Sequence, residues 1–145
     1  MVVVKKIPYG ICNYRKLQEE GYVYVDKTSY LEKLEDVGST LVYLRPGRFG
    51  KTLFTSMMYY YYDIKSEALF DSLFKNTYIY KYPTVRKNKY YILKLDFSNI
   101  KTSNMNELEI EQEFNTKVAV GIKEFLTHYD LKGDNFEFTK ASNHL

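Results

Sequence analysis

The chain has 145 residues and a mass of 17.3 kDa, which gives room for one domain with one hydrophobic core. Its single cysteine, Cys12, excludes an internal disulfide and fits a reducing compartment. No apolar run approaches the length of a transmembrane helix, and residues 1–6 lack the pattern of a signal peptide. We therefore expect a cytoplasmic protein that does not bind membranes.

The net charge of +3 is spread unevenly along the chain. Residues 1–100 carry a net charge of +6, and residues 101–145 carry −3. The most basic stretch, residues 75–94, interleaves lysines and an arginine with tyrosines. Such a stretch is compatible with nucleic-acid binding. Lysines also protect exposed edges of a fold from aggregation, and we favour this second interpretation.

Two short helices are predicted before residue 40. The first covers residues 13–20 and is closed by Gly21, because glycine readily takes the left-handed conformation at a helix end. An extended segment follows at residues 22–25. The second helix has Thr28 or Ser29 as its capping residue and runs to about residue 37.

The next stretch has the pattern of a phosphate-binding loop between an apolar strand, residues 40–44, and a helix, residues 52–62. It reads Arg45-Pro46-Gly47-Arg48-Phe49-Gly50-Lys51-Thr52. Gly50 would let backbone N–H groups approach phosphate oxygens, Lys51 would bring a positive charge to the β- and γ-phosphates, and the Thr52 hydroxyl would complete a Mg²⁺ shell. The positive end of the following helix would lie beneath the anion.

The loop departs from the usual G-x-x-x-x-G-K-S/T pattern at its first position, which is Arg45. Gly47 would then supply the tight turn, and Arg45 and Arg48 would add two cations that favour a polyphosphate. The alternative is a basic turn that only resembles a phosphate-binding loop. The apolar strand before it and the helical spacing after it favour phosphate binding.

The second half of the chain is predicted to contain a helix at residues 67–74, a turn at Pro83 and an apolar strand at residues 90–97. A long helix is expected from Asn106 to about residue 129, because Glu109 stands three residues after Asn106 in a capping pattern. Residues 133–145 form a polar tail with little reason to be ordered.

The order strand, loop, helix, strand, helix is typical of a parallel sheet with crossover helices. The expected fold is therefore α/β, a partial P-loop NTPase-like parallel sheet with flanking helices. Only two or three strands are predicted, whereas sheets of this kind normally have more. We therefore expect the fold to be incomplete at residue 145, with self-association or a longer protein partner covering its exposed apolar surface.

The carboxylate at the end of the second predicted strand is a candidate Mg²⁺ ligand. Residues 91–96 resemble a Walker B strand, in which Asp96 would hold the metal at the edge of the sheet. Phe97 stands where the general-base glutamate of an AAA-type ATPase would follow, and Lys94 interrupts the apolar run. The alternative role for Asp96 is an ordinary cap at a strand end.

The chain resembles the bacterial AAA-ATPase-like family in four segments. These are Ile7-Pro8-Tyr9-Gly10-Ile11, Tyr24-Val25-Asp26-Lys27-Thr28, the stretch from Leu44 to Thr52, and Leu95-Asp96-Phe97-Ser98. Members usually carry Arg-Pro-Arg-Arg-Phe-Gly-Lys-Ser/Thr at the loop, so the missing first glycine is normal and Gly47 is the departure. The resemblance implies that residues 1–132 are the N-terminal P-loop region and that ATP and Mg²⁺ are its ligands.

Members of the family are longer and carry an acidic Walker B motif further on, which does not occur in these 145 residues. We therefore expect ATP binding without hydrolysis by this chain alone. The second hypothesis is a non-catalytic remnant or interaction module whose basic loop contacts anions, nucleic acid or another chain. The family-like element Asp26-Lys27-Thr28 has two candidate roles, a helix cap or a contact to the adenine or ribose of the nucleotide.

Overall fold

The computed structural model describes residues 6–98, 100, 103 and 105–132. These residues divide into one unit that ends at Tyr91 and another that begins at Ile92. The first unit contains α1 (Tyr14–Glu19), α2 (Ser29–Val37), α3 (Lys51–Tyr62), a 3₁₀ helix (Ile64–Leu69), α4 (Phe70–Phe74) and α5 (Tyr78–Lys81), and the second contains α6 (Glu107–His128). No helix in these ranges is long and apolar enough to cross a membrane. The predicted tail, residues 133–145, lies outside the described residues.

The prediction of an α/β fold with a partial P-loop NTPase-like parallel sheet is wrong. The described residues contain no strand, and their β-type pairing is limited to an isolated parallel bridge between Asp63 and Tyr90. Residues 40–44 and 91–97 have no regular secondary structure. In each case apolar side chains contact a helix of the same unit, as between the rings of Tyr43 and Phe54, whose centroids are 5.6 Å apart.

In the second unit, the segment that was predicted to be a strand packs against α6. The backbone N–H of Ile92 donates to the Tyr129 hydroxyl at 2.7 Å, and Phe97 stacks on Phe114 with 4.9 Å between ring centroids. Between these contacts, a side chain at Gly121 would overlap that of Leu95. The glycine therefore allows the apolar run to lie close against α6, which takes the place of a neighbouring strand.

The helix predictions are confirmed where periodicity and capping agree. The Asn13 side chain accepts a hydrogen bond from Lys16 N–H at the start of α1, and Gly21 follows the helix with φ +67°. Asn106 and Glu109 form the expected capping box at the start of α6, with distances of 2.9 and 2.8 Å. The helix predicted over residues 67–74 is instead divided between the 3₁₀ helix and α4, and α5 was not predicted.

The core of the first unit is rich in aromatic rings and lies between α1, α3 and α4, with one buried side chain each from α2 and α5. Its completely buried side chains include Tyr14, Leu31, Tyr61, Phe74 and Ile79. The ring of Phe74 lies 5.1 Å from that of Tyr14 and 5.8 Å from that of Tyr61. The Tyr14 hydroxyl donates to the carbonyl of Leu73 at 3.1 Å, and burial raises the pKa of this phenol. Tyr14 is therefore neutral at physiological pH and satisfies a buried carbonyl.

The side chains of the element Asp26-Lys27-Thr28 cap α5, whereas Thr28 is the N-cap residue of α2 without a side-chain cap hydrogen bond there. Asp26 accepts hydrogen bonds from the N–H groups of Thr28 at 2.8 Å and Tyr78 at 2.6 Å. The Thr28 hydroxyl accepts one from Ile79 N–H at 3.1 Å and is completely buried. Because the first N–H groups of a helix have no partner within the helix, these two side chains complete the start of α5.

We predict that Thr28→Val lowers the free energy of unfolding by about 1–3 kcal/mol, because it leaves the N–H of Ile79 buried without an acceptor. Thr55→Val is the matched control. The Thr55 hydroxyl is exposed and donates to the Lys51 carbonyl within α3, so its loss should change stability by less than about 0.5 kcal/mol. Urea unfolding of the three proteins measures the difference. Equal losses in both variants would contradict the capping role.

Candidate phosphate-binding site

The loop before α3 turns through two residues in the left-handed conformation, Arg48 with φ +63° and Gly50 with φ +78°. Gly47 is not among the residues of positive φ. Gly47 and Arg48 both lie in the turn, and the left-handed conformation falls on Arg48 instead of Gly47. The sequence did not predict this backbone conformation of Arg48, because a residue with a side chain seldom adopts it and no local pattern marks it.

The N-terminus of α3 presents backbone donors at the end of this turn. Gly50 is the N-cap residue, and the first intrahelical hydrogen bond runs from Phe54 N–H to the Gly50 carbonyl at 2.8 Å. The N–H groups before Phe54 have no partner within the helix, as at every helix start. The first turn of α3 contains no acidic residue. This end of the helix therefore favours an anion.

The side chain of Lys51, the first residue of α3, binds the start of the loop. Its ammonium donates to the carbonyl of Arg45 at 2.6 Å and to the carbonyl of Pro46 at 3.0 Å. An ammonium group has three N–H donors, so one remains for a phosphate oxygen while the other two hold the loop. Lys51 thus has both the charge and the position that an anion site requires.

Two arginines add positive charge on the solvent side of the loop. Arg45 and Arg48 are exposed, as are Phe49 and Thr52. The guanidinium of Arg45 lies 5.8 Å from the centre of the Tyr43 ring. The exposed positions allow both arginines to approach a ligand of several negative charges, and their charges add to that of Lys51.

Asp96 belongs to the second unit, whereas residues 45–52 belong to the first. The strand that was expected to carry Asp96 is not formed. The carboxylate accepts a hydrogen bond from Ser98 N–H at 2.9 Å. Hydrogen bonds from the Ser98 side chain and backbone, with smaller contributions from Lys94 and Lys117, lower the pKa of Asp96. Asp96 is therefore a carboxylate at neutral pH, and its role as a metal ligand stays a prediction.

The loop residues suited to bind phosphate are not the same as those suited to bind Mg²⁺. Within the described ranges, no group of three or more His, Cys, Asp or Glu side chains lies close enough together to hold a metal ion. Mg²⁺ at nucleotide sites is bound by few protein groups, together with phosphate oxygens and water. The exposed hydroxyl of Thr52, in the first turn of α3, is a suitable ligand of that kind.

Comparison with known proteins identifies a family over nearly the whole chain. A family model described as AAA-ATPase_like, "Predicted AAA-ATPase", matches residues 8–144. The chain is also similar to an uncharacterized protein in the vnfD 5' region of Azotobacter chroococcum mcd 1, with 45% identity over 51 residues. That match covers 34% of this chain and 10% of the relative, so the chain spans about a tenth of that protein's length. No solved structure matches the chain.

The two glycines of the loop provide a direct test of its geometry. Gly50→Ala should lower the free energy of unfolding by about 1–2 kcal/mol, because an alanine at φ +78° is strained even though the space around it is open. Gly47→Ala is the matched control, since Gly47 also has open space and lacks a positive φ. It should leave stability unchanged or slightly higher. Denaturant unfolding compares them, and a larger loss at Gly47 would contradict the left-handed conformation of Gly50 as the reason for its glycine.

Proposed function

We propose a function that starts from one premise: the chain belongs to the AAA-ATPase-like family. Membership of this family supports nucleotide and metal use in general terms. The specific proposal is that residues 45–52, a variant Walker A motif, bind ATP with Mg²⁺ in a bacterial cytoplasm. The N-terminal P-loop region is proposed to extend over residues 1–132.

The observation that carries the proposal is the combination of donors at the start of α3. Gly50 is the N-cap residue of α3, whose first backbone N–H groups have no partner within the helix. The ammonium of Lys51 has one N–H that is not used by the loop carbonyls. Arg45 and Arg48 add charge from exposed positions. A triphosphate has several oxygens that accept hydrogen bonds and carries several negative charges. It therefore matches both the N–H donors and the positive charges of the loop.

Mg²⁺ would neutralise part of the phosphate charge when it is bound with the nucleotide. Thr52 is the residue of the loop that we propose as its ligand, and Asp96 is the second candidate. The role of this chain's residues is to hold and orient the phosphates. Backbone N–H groups at Gly50 and the ammonium of Lys51 make these contacts.

The second candidate function is an interaction module without catalysis. The exposed Arg45 and Arg48 support it, because two guanidinium groups on a surface loop are suited to contact an acidic partner, such as a nucleic acid or an acidic segment of another chain. A protein partner is also supported by exposed apolar side chains, including Val42 and Leu44 in the first unit and Val120 in the second. We propose that self-association or a longer protein covers the exposed apolar side chains of each unit.

Nucleotide binding should be visible as thermal stabilisation. At a ligand concentration of about 100 times Kd, Mg·ATP adds about 2.7 kcal/mol to the stability of the native state. Lys51→Ala should abolish the shift, because it removes the charge and the N–H donor that face the phosphates. Lys89→Ala is the matched control, since Lys89 is an exposed lysine outside the loop. Differential scanning fluorimetry measures all three proteins with and without Mg·ATP.

The comparison separates the two candidate functions. A shift in the wild type and in Lys89→Ala, but not in Lys51→Ala, supports nucleotide binding at the loop. No shift in the wild type at millimolar Mg·ATP contradicts it and leaves the interaction module. Equal reductions in the two lysine variants would indicate that general charge, and not the loop, attracts the ligand.

Hydrolysis by this chain alone should be negligible. Phosphoryl transfer requires a positioned water and stabilisation of developing charge in addition to phosphate binding. Phe97 follows Asp96 where an AAA-type ATPase has its general base, so this water has no base at that position. A steady-state phosphate-release assay should give the same background for the wild type and Lys51→Ala. Robust turnover that is lost in Asp96→Asn would contradict this prediction and identify Asp96 as the metal ligand.

A further inference from the structure

The most basic stretch of the chain, residues 75–94, is described in full and contains no strand. Within this fully described stretch, β-type pairing is limited to the isolated bridge at Tyr90. Lysines that protect the edge of a sheet require such an edge. The interpretation of these lysines as edge protection therefore lacks a physical basis, and their charges need another explanation.

The composition of this part of the chain favours a partner that is both anionic and aromatic. Residues 72–95 contain six lysines and arginines and no aspartate or glutamate. Lys81 and Arg86 are exposed, and so are the rings of Tyr82 and Tyr91, at 60% and 58%. Exposed cations attract phosphates, and exposed rings provide surfaces on which unpaired bases stack.

Three backbone N–H groups fix the segment after α5 on the C-terminal end of α3. Thr84 N–H donates to the Tyr61 hydroxyl at 2.8 Å, and Asn88 N–H donates to the carbonyl of the same tyrosine at 2.9 Å. Tyr90 N–H donates to the carbonyl of Tyr62 at 3.0 Å. Since all three anchors lie at the last two residues of α3, the exposed side chains beside them are held on the solvent side of that helix end.

Acidic side chains contact this region without cancelling its charge. The carboxylate of Glu35 accepts hydrogen bonds from two hydroxyls, at 2.9 and 2.8 Å, one of them from this segment. Glu32 and Asp71 interact with tyrosines that precede the segment. Residues 81–91 themselves carry four positive charges and no negative one. The segment therefore keeps a positive charge on its exposed side.

We propose that the exposed side of residues 81–91 binds single-stranded nucleic acid. Lys81 and Arg86 contact the phosphates, and the rings of Tyr82 and Tyr91 stack on unpaired bases. A single strand fits better than a duplex, whose bases already stack on one another, and better than an acidic protein, whose carboxylates use the cations alone. This surface is separate from the loop before α3, so the inference does not depend on nucleotide binding there.

Stacking is tested by fluorescence anisotropy with a labelled single strand of about twelve thymidines, a length within the site sizes of single-strand binding modules. Tyr82→Ala should weaken binding about fivefold or more, because it removes one stacking ring. Tyr82→Phe should bind as the wild type does, since the ring and not the hydroxyl makes the contact. Tyr30→Ala is the matched control, because Tyr30 is 54% exposed and lies on α2, outside the segment.

The phosphate contacts are tested by the salt dependence of the same binding. On a log–log scale, the affinity for a single strand falls with salt by about 0.7 for each phosphate that is neutralised. Lys81→Ala/Arg86→Ala should therefore lower this slope by about 1.4. Lys123→Ala/Lys132→Ala removes the same charge from exposed residues of the second unit and should leave the slope unchanged. Circular dichroism checks that each variant is folded.

The inference is overturned if the wild type does not bind the single strand at about 50 mM salt, where phosphate contacts are strong. Equal weakening by the two tyrosine-to-alanine variants overturns it as well, because general exposure of rings would then account for binding. Tighter binding of a duplex or of polyglutamate would exclude stacking on unpaired bases. If Arg45→Ala/Arg48→Ala weakens binding and the double variant of the segment does not, the single strand binds to the loop before α3. Each of these results leaves the thermal-shift test of Mg·ATP binding unaffected.

Discussion

Burial of the C-terminal half of α3 is the constraint on which the candidate site depends. Met57 and Tyr61 lie four residues apart on one face of the helix and are almost completely buried. Because an α-helix is rigid, burial of Met57 and Tyr61 also fixes the position of Gly50 and Lys51 at its N-terminal end. The two hydrogen bonds from Lys51 to loop carbonyls then attach the loop to the helix. The donors are therefore arranged before a ligand binds, which lowers the entropic cost of binding.

A polar network secures the same helix from its C-terminal end. The Glu35 carboxylate accepts hydrogen bonds from the Tyr62 hydroxyl at 2.9 Å and the Thr84 hydroxyl at 2.8 Å. Thr84 in turn donates its N–H to the Tyr61 hydroxyl at 2.8 Å. Burial, followed by the contact with Glu35, raises the pKa of Tyr62, so the phenol remains a donor. Helix α2 and the chain after α5 thus help to orient α3, although neither contributes a residue to the loop.

The extended apolar segments show why a local pattern did not predict the architecture. Residues 91–97 have the composition of a buried strand, and a strand requires a neighbour for its backbone groups. Here Ile92 N–H bonds to the Tyr129 hydroxyl, and Gly121 lets the segment approach α6. The apolar side chains therefore find their contacts on a helix. Composition indicates that such a segment will be buried against something, but it does not specify a strand or a helix as the neighbour.

The sequence by itself determined the features that act within one or two turns. Periodicity and caps at Asn13 and Asn106 predicted helices, and Gly50-Lys51-Thr52 predicted the start of α3, because each signal lies among adjacent residues. Only the tertiary structure decided the contacts between residues distant in the sequence and the positions of strained backbone conformations. Asp26 and Thr28 cap a helix that lies 52 and 51 residues further along the chain, and Arg48 takes a left-handed conformation that its residue type does not favour. The physical reason is that long-range partners and strained conformations are chosen by the energy of the whole fold, which local patterns do not contain.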